Sequence, residues 1–296
     1  MFTTKLTDIV LVGIAKYEND YIKEWLDYHY SIGFDKIFVY DDGDGDVPYL
    51  DEMPELKEYI NSGKLGVERC GDIEAPQLKM YLKFYKEHNA AWIMYLDIDE
   101  FLTFSDKNAG YSIKTFLNQD KFNDAEMIIF SWLLYGDNGH IHYEKKPVLE
   151  RFTEPQAGAF VNPNTMLVKC CVRGNIPGIG FPNPHSASRR PEELKTYLPS
   201  GKTVEKYNSC YPEVHIEYSD AYIRHFFTKS MEEFLQKKLI RGSACRKDGV
   251  KRNVNNYWIA NERTPEKEKV FNDMIKLLEA EKKFKYNKTK EIFAAI

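Results

Sequence analysis

The chain has 296 residues, of which 43% are hydrophobic and 29% are charged, and its formal net charge at pH 7 is −4. This composition is typical of a globular protein and excludes a disordered chain. A nucleic-acid partner usually requires a basic surface, so the weak negative charge argues against one.

The cysteines and the apolar segments predict the compartment. The N-terminal residues show no signal-peptide pattern, and no stretch approaches the ~20 apolar residues of a membrane helix. An odd number of cysteines without a C-x-x-C pair favours a reduced cytosol: Cys70, Cys170, Cys171, Cys210 and Cys245. We therefore predict a cytoplasmic protein, for which any membrane contact is peripheral and at the inner face of the cell membrane.

Strand-like and helix-like segments alternate over the first hundred residues. The predicted strands are four apolar or β-rich runs, at 9–15, 37–40, 65–70 and 92–96. The predicted helices lie between them: one runs from the N-cap Asp20 to Gly33 with Ile22, Trp25, Leu26 and His29 on one face, and the others cover 54–62 and 78–85. This alternation predicts a parallel sheet flanked by helices, in which ligands bind beyond the carboxyl ends of the strands.

The alternation is weaker after about residue 105. Strand-like runs recur at 126–132, 166–172 and 222–227. The stretch 174–220 is rich in Pro, Gly and Asn and predicts long loops over a binding face. Two helices complete the pattern: a Ser230–Glu233 capping box opens one that ends at Gly242, and Thr264 and Pro265 open another that extends to about Lys283.

The strongest chemical signal is the pair of acids Asp97 and Asp99, directly after the apolar run 92–96. Two carboxylates at i and i+2 at a strand end can reach one hard cation, and a Mg²⁺ or Mn²⁺ ion held this way keeps positions open for phosphate oxygens. The alternative is that the acids only end a strand and cap a turn. Their position after a fully apolar strand favours a metal site, and acids placed this close are expected to repel one another.

A second acidic segment, 41–46, follows the second predicted strand. A carboxylate there can accept a hydrogen bond from a base N–H or a ribose hydroxyl. An EF-hand calcium loop is excluded, because the spacing counted from Asp42 requires Gly and Glu where the chain has Val47 and Met53. A solvated polar turn is the remaining alternative.

His225 follows the last strand-like run and precedes Lys229. The imidazole can complete the coordination of a metal and the ammonium group can face a diphosphate, although a histidine among aromatic residues is more often a packed core residue. A metal contact predicts that metal affinity falls as the pH drops through the ordinary histidine range. Neither a P-loop nor a nucleophile-elbow motif is present in the sequence.

Several segments together resemble glycosyltransferase family 92 and its bacterial family-2-like relatives. They are VGIAKYENDYIKEWLDYHYSIGFDKIFVYDDGDGD, Gln77 with the helix after it, WIMYLDIDEFL, WLLYGDNGH and YIRHFFTKSMEEFLQKKLIRG. These segments occur in the family's order and span most of 9–242. The stretch 145–220 matches poorly, so the identity of the acceptor does not transfer.

The resemblance implies a GT-A (Rossmann-like) α/β fold, with a mostly parallel central sheet flanked by helices and a C-terminal helical appendage. We predict a transferase domain at 1–242, in which 1–105 bind the nucleotide sugar and 106–242 bind the acceptor and complete the site. Residues 243–296 form the predicted helical extension. The implied cofactor is Mn²⁺ or Mg²⁺, the implied donor is a UDP-hexose such as UDP-galactose, and the implied acceptor is a glycan or a lipid-linked saccharide.

Three sets of site residues are carried over by position. The implied metal ligands are Asp97, Asp99 and His225. The implied donor-binding residues, among which Asp41 would hold the nucleoside, are Ala15, Lys16, Glu18, Asp41, Gln77, Asp97 and Lys229. The favoured catalytic base is Asp137, in a loop bracketed by glycines, and the alternatives are Glu192, Glu193, Glu217 and Asp220.

The resemblance also implies inversion at the sugar, in which a carboxylate deprotonates the acceptor hydroxyl and a metal stabilises charge on the leaving nucleoside diphosphate. The eukaryotic relatives carry a membrane anchor that this sequence lacks, so bacterial surface-polysaccharide synthesis is the expected setting. Two other classes stay open. A sugar nucleotidyltransferase would attack phosphorus and release pyrophosphate, and a non-catalytic sugar-binding protein would need no pair of acids.

Overall fold

The computed structural model describes residues 2–105, 110–156, 167–189, 193–204, 216–241 and 253–280. The strands are β1 (Ile9–Ala15), β2 (Lys36–Asp41), β3 (Leu65–Arg69), β4 (Trp92–Tyr95), β5 (Glu100–Phe104), β6 (Met127–Leu134), β7 (Val168–Arg173), β8 (Ile179–Asn183), β9 (Ser186–Arg189), β10 (Thr196–Tyr197), β11 (Thr203–Val204) and β12 (Ala221–His225). The helices are α1 (Ile22–Ser31), α2 (Lys57–Asn61), α3 (Pro76–Glu87), α4 (Ile113–Leu117), α5 (Val148–Arg151), α6 (Met231–Leu235), α7 (Tyr257–Ala260) and α8 (Pro265–Ala280). A π-helical segment, Gln236–Arg241, continues α6.

The central sheet begins with four strands that run in the same direction. β1 pairs in parallel with β2 and β4, and β2 pairs in parallel with β3. Every residue of β1 is buried, as expected of a parallel strand covered on both faces. The bounds of these four strands agree with the predicted ones to within one residue.

Antiparallel pairing enters the sheet beyond β4. β7 pairs antiparallel with both β4 and β6, and β10 continues the sheet in parallel with β6. β12 lies parallel to β6 and antiparallel to β5, which places His225 opposite Glu100. The predicted α/β fold, a mostly parallel central sheet flanked by helices, is confirmed.

α1 packs its apolar face against the sheet. The buried residues of this helix are the four predicted ones: Ile22, Trp25, Leu26 and His29. Gly33 follows the helix at φ +101°, a conformation that favours glycine. The predicted N-cap Asp20 is wrong, because the N-cap residue is Tyr21 and its side chain makes no capping hydrogen bond.

Other predicted elements differ in detail. The predicted helix at 54–62 is a 3₁₀ turn, Pro54–Leu56, followed by α2, and α3 is longer than the predicted 78–85. The predicted long loops at 174–220 are wrong in part, because β8 pairs with β9 and β10 pairs with β11. Residues 190–192 and 205–215 lie outside the described residues. β5 was not predicted, because its first residue belongs to the acidic motif.

The C-terminal helices pack on α6. The predicted capping box is confirmed: the Glu233 N–H donates to Ser230 Oγ at 3.2 Å, and the Ser230 N–H donates to Glu233 Oε2 at 3.0 Å. One apolar cluster joins α6, α7 and α8, and its buried members are Met231, Phe234, Leu235, Tyr257, Phe271, Met274 and Leu278. The predicted ends of the two long helices, Gly242 and Lys283, fall outside the described residues.

None of the helices in the described residues has both the length and the apolar character of a membrane-spanning segment. Cys70, Cys170 and Cys171 are buried thiols without a disulfide. Cys210 and Cys245 lie outside the described residues.

A buried ion pair ties α5 to the start of α6. Arg151 donates to Glu233 Oε2 at 2.7 Å and to Oε1 at 3.0 Å, and Tyr21 in turn donates to Oε1 at 2.8 Å. Burial opposes ionisation of Glu233, but Arg151 more than offsets this effect, so the pKa of Glu233 lies below its ordinary value. Glu233 therefore acts both as a helix cap and as a buried anion.

We predict that Arg151→Met lowers the free energy of unfolding by about 3–5 kcal/mol, because Glu233 would stay buried without its counter-ion. Urea denaturation followed by circular dichroism measures the change. The control is Lys276→Met, which removes an ion pair with Asp273 whose side chains are 75% and 52% exposed. That control should cost less than about 1 kcal/mol. Equal losses in the two variants would show that the buried pair does not stabilise the fold.

Candidate functional site

The carboxyl ends of β1, β2 and β4 meet at one edge of the sheet. Ala15 and Asp41 are aligned in register, and the Asp42 N–H donates to the Ala15 carbonyl at 2.7 Å. After β4 the chain passes through 97–99 and enters β5 at Glu100. The acidic segments that follow β2 and β4 therefore lie at the edge where ligands bind in parallel sheets.

Asp97 is held by side chains from two neighbouring elements. Gln77 in α3 donates through Nε2 to Asp97 Oδ1 at 2.7 Å, and Lys169 Nζ in β7 lies 3.0 Å from Oδ2. Burial opposes ionisation of Asp97, but Lys169 more than offsets it, so the pKa of Asp97 lies below its ordinary value. About a third of the Asp97 side chain, 34%, is exposed. Asp97 is thus ionised, fixed in place and open to a ligand.

Lys169 is a site residue that the sequence analysis missed. Its side chain is fully buried, and its Nζ lies 3.3 Å from Glu100 Oε2 as well as 3.0 Å from Asp97 Oδ2. Burial lowers the pKa of this amine, but Asp97 and Glu100 reverse the effect, so the pKa of Lys169 lies well above its ordinary value. The signal in the sequence is a lysine among the apolar residues of the strand-like run 166–172, where an unpaired charge would be costly.

Asp99 is buried between a lysine and a histidine. Lys237 in the π-helical segment is hydrogen-bonded through Nζ to Asp99 Oδ2, and His225 Nε2 lies 3.7 Å from Oδ1. Burial raises the pKa of Asp99, but Lys237 and other nearby cations more than offset it, so the pKa lies well below its ordinary value. The expected repulsion between Asp97 and Asp99 is therefore wrong as the dominant effect, because each acid has a lysine partner.

His225 is packed among aromatic residues and also faces Asp99, and its predicted role as a metal ligand stays a prediction. Its ring packs against Trp132, with the ring centroids 4.1 Å apart, while Nε2 faces Asp99. Burial lowers the pKa of His225 to about 3, so the imidazole is neutral at pH 7. Its Nδ1 is buried and has no hydrogen-bond partner among the described residues. A protonation of His225 in the ordinary histidine range is not expected from this environment.

The donor set suits a divalent metal, although the side chains do not form a ready-made coordination site. Two ionised carboxylates and a neutral imidazole are ligands that Mn²⁺ accepts. Within the described ranges, no group of three or more His, Cys, Asp or Glu side chains is arranged to hold a metal ion. A cation at Asp99 would have to take the carboxylate from Lys237, so the chemistry of the residues fits a metal and their present pairing opposes it.

The segment after β2 folds back on itself around Asp41. The Gly43 N–H donates to Asp41 Oδ1 at 3.0 Å, and the Leu50 N–H donates to Oδ2 at 2.8 Å. A Cβ atom added to Gly71 would lie 2.1 Å from the Gly43 carbonyl oxygen, so the loops after β2 and β3 touch at their backbones. Asp41 thus shapes this loop, and its predicted contact with a nucleoside stays a prediction.

Cations from 229–241 line a small pocket and pair with Glu18. Lys229 adopts φ +53°, and its Nζ lies 3.9 Å from Glu18 Oε2 and 3.8 Å from the centre of the Tyr21 ring. Arg241 is hydrogen-bonded to Glu18 Oε1. The pocket is lined by Tyr21, Phe227, Thr228, Lys229, Glu233, Gln236, Lys237 and Arg241. The predicted positions Glu18 and Lys229 are brought together here, whereas Lys16 pairs with Asp42, at 3.3 Å.

Asp137 is surrounded by contacts with the C-terminal helices. Lys267 Nζ lies 3.1 Å from Oδ1 and 3.0 Å from Oδ2, and the Tyr257 hydroxyl also donates to Oδ2. The Gly139 N–H donates to Oδ1 at 2.9 Å. These contacts give Asp137 a structural role as well, and its role as the base stays a prediction.

The alternative bases differ in their surroundings. Glu217 accepts a backbone N–H through Oε1 at 2.6 Å, and Asp220 Oδ2 lies 3.1 Å from Lys121 Nζ. Glu193 is exposed, and Glu192 lies outside the described residues. None of these contacts selects one alternative over the others.

Comparison with known proteins gives weak likenesses only. No protein-family model and no curated protein matches the chain. A crystal structure of S. aureus TarS 1-349 in complex with UDP is similar at 14% identity and a TM-score of 0.33, over 47% of this chain and 38% of that chain. GalNAc-T7 with UDP, GalNAc and Mn²⁺ is similar at 11% identity and a TM-score of 0.36, over 78% of this chain and 47% of that chain.

A nucleotidyl transferase from Methanothermobacter thermautotroptrophicus, Mth528, is similar at 12% identity and a TM-score of 0.27, over 56% of this chain and 71% of that chain. The match to the TarS structure spans less than two fifths of its length, 38%. Likenesses at this level do not assign a family, an activity or a ligand, so membership of family 92 is not confirmed.

We predict that Lys169→Met destabilises the fold by about 3–5 kcal/mol, because Asp97 and Glu100 would remain close together without a buried counter-ion. Replacing one of the two acids should relieve that cost. In the double variant Lys169→Met/Glu100→Gln, we expect a recovery of about 0.5–3 kcal/mol relative to the sum of the single changes. Chemical denaturation of all four proteins measures the coupling. Strict additivity would show that Lys169 and Glu100 do not interact.

Proposed function

We propose that the chain is a metal-dependent glycosyltransferase of the GT-A type. It transfers a hexose from a nucleotide sugar, such as UDP-galactose, to a glycan or lipid-linked saccharide in bacterial surface-polysaccharide synthesis, at the inner face of the membrane. One observation carries this proposal: carboxylates that follow parallel strands form ion pairs with three cations from 229–241, and these cations line one pocket. Such strand ends commonly bind nucleotides, and facing cations suit a diphosphate. The resemblance to family 92 supports the same function.

The donor occupies the edge formed by β1, β2 and β4 in this proposal. Asp41, in the folded loop after β2, contacts the nucleoside, and Lys16 lies beside that loop through its pair with Asp42. Ala15 offers its backbone at the same edge. Gln77 orients Asp97 through the 2.7 Å hydrogen bond, so that the carboxylate points towards the diphosphate.

Asp97, Asp99 and His225 would hold Mn²⁺ or Mg²⁺. When bound, the cation would neutralise the negative charge that develops on the leaving diphosphate. Lys229 adds a positive charge at the same pocket, where Glu18 sets its position. Lys169 keeps Asp97 ionised. These residues act by electrostatics, which is the largest contribution to many transfer reactions.

We predict that UDP raises the melting temperature in Mn²⁺ and much less in EDTA, because only the folded protein binds the ligand. At a concentration of about 100 times Kd, the stabilisation is about 2.7 kcal/mol. Asp99→Asn should abolish the Mn²⁺-dependent shift without loss of circular dichroism. An equal shift in EDTA contradicts the metal-bridged site. Product analysis separates the remaining classes, since a glycosyltransferase releases nucleoside diphosphate, a nucleotidyltransferase releases pyrophosphate, and a binding protein releases neither.

Asp137 is the proposed base, and its partner Lys267 supplies a matched control. We predict that Asp137→Asn lowers the transfer rate by about 10²–10⁴-fold, the usual contribution of general base catalysis. Lys267→Met removes the main contact of Asp137 but leaves the carboxylate, so it should lower the melting temperature with a much smaller loss of rate. Equal losses of rate and stability in the two variants would assign Asp137 an anchoring role instead.

A further inference from the structure

Two cations of the π-helical segment end on carboxylates of the site. Lys237 pairs with Asp99, and Arg241, four residues later, pairs with Glu18. Their side chains are only 15% and 11% exposed. Both contacts join 236–241 to the first hundred residues, and both cations line the pocket described above. Neither residue is among the predicted site residues, although both lie in the last segment that resembles family 92.

Three cations line the pocket in the described structure, namely Lys229, Lys237 and Arg241. They form ion pairs with the carboxylates Glu18 and Asp99. A further acid, Glu233, also lines the pocket, but Arg151 is its counter-ion. Burial lowers the pKa of Lys237, and Arg241 and Lys229 add to this effect against the attraction of Asp99. A diphosphate is a ligand that suits this group of three cations.

Lys237 is also the group that stands between Asp99 and a metal ion. A carboxylate oxygen that is hydrogen-bonded to a buried ammonium group cannot coordinate a cation in the same direction. Lys169 differs in this respect, because it is fully buried in the sheet and pairs with Asp97 rather than with Asp99. Lys237 instead lies in a helical segment at the wall of the pocket.

We propose that Lys237 exchanges partners when the donor binds. In the free protein it neutralises Asp99, and in the complex it pairs with the diphosphate beside Arg241, which releases Asp99 for the divalent cation. This inference rests on the proposed function, since it needs a diphosphate donor. One lysine then couples the two ligands: each ligand removes the obstacle to the other.

Thermodynamic linkage gives this exchange a measurable signature. UDP should raise the affinity for Mn²⁺, and Mn²⁺ should raise the affinity for UDP by the same factor. In Lys237→Met, Mn²⁺ alone should bind about tenfold more tightly, because no lysine competes for Asp99, within the ordinary range of such coupling. UDP at saturating Mn²⁺ should bind about tenfold more weakly, because a cation that faces the diphosphate is gone. The coupling factor should therefore fall.

The test measures binding of Mn²⁺ alone by electron paramagnetic resonance of the free ion, and binding of UDP by calorimetry at saturating Mn²⁺. The matched control is Lys238→Met, the same change one residue later, where Nζ lies 4.5 Å from the Phe227 ring centre and 5.2 Å from that of Phe234. Lys237→Arg keeps the charge and should retain the coupling between UDP and Mn²⁺. It therefore tests the role of the charge even if Lys237→Met folds poorly. Melting temperatures verify folding of each variant.

We expect Lys237→Met to bind Mn²⁺ more tightly and UDP more weakly than the wild-type protein. Lys238→Met should show neither change. If wild-type protein binds UDP with Mn²⁺ but Lys237→Met matches Lys238→Met in both affinities, the exchange is overturned and the proposed function stands. A fall in both affinities in Lys237→Met also overturns it, because Lys237 would then support the metal site. If wild-type protein does not bind UDP in any metal condition, the proposed function fails and this inference with it.

Discussion

The candidate site depends on one buried amine, that of Lys169. It lies in β7, beside β4, with no exposed side-chain surface, and it is close to both Asp97 and Glu100. Burial alone raises the pKa of a carboxyl group, and Glu100 shows this effect, since its pKa lies well above the ordinary value in spite of Lys169. Without the lysine, Asp97 could not stay ionised so close to Glu100 and Asp99. The geometry of Asp97 therefore follows from a residue on an antiparallel strand that belongs to no recognisable motif.

The sequence was informative wherever local pattern and burial coincide. β1 and β4 are continuous apolar runs, and the face of α1 follows from helical spacing, so both could be predicted. The capping box at Ser230 could be predicted because its two hydrogen bonds are local. The N-cap of α1 could not, because the backbone carbonyl of Glu18, and not a side chain, accepts the first N–H groups.

The partners of the acids could not be predicted, for a physical reason. The position of a carboxylate at a strand end follows from the strand. Its counter-ion lies on another element, which is distant in the sequence and is placed nearby only by the tertiary fold. Lys169 lies in a mostly apolar strand, and Lys237 lies in a helical segment with several charged residues. Neither pattern indicates which carboxylate the amine contacts. The strands predicted where the two acids lie. The predicted repulsion between Asp97 and Asp99 was wrong as the dominant effect, because it omitted these partners.

The long sequence separation of these contacts has a kinetic consequence. Asp99 and Lys237 are 138 residues apart, and Glu18 and Arg241 are 223 residues apart. Closing loops of this length costs conformational entropy before the new contacts offset it. Contacts of this kind therefore form after the local strand and helix pairs. During synthesis, β1 to β4 and their acids emerge before Lys169, and the segment 221–241 with Lys237 and Arg241 emerges later still. The folding protein therefore acquires its parallel strands well before it acquires a complete electrostatic environment at their ends.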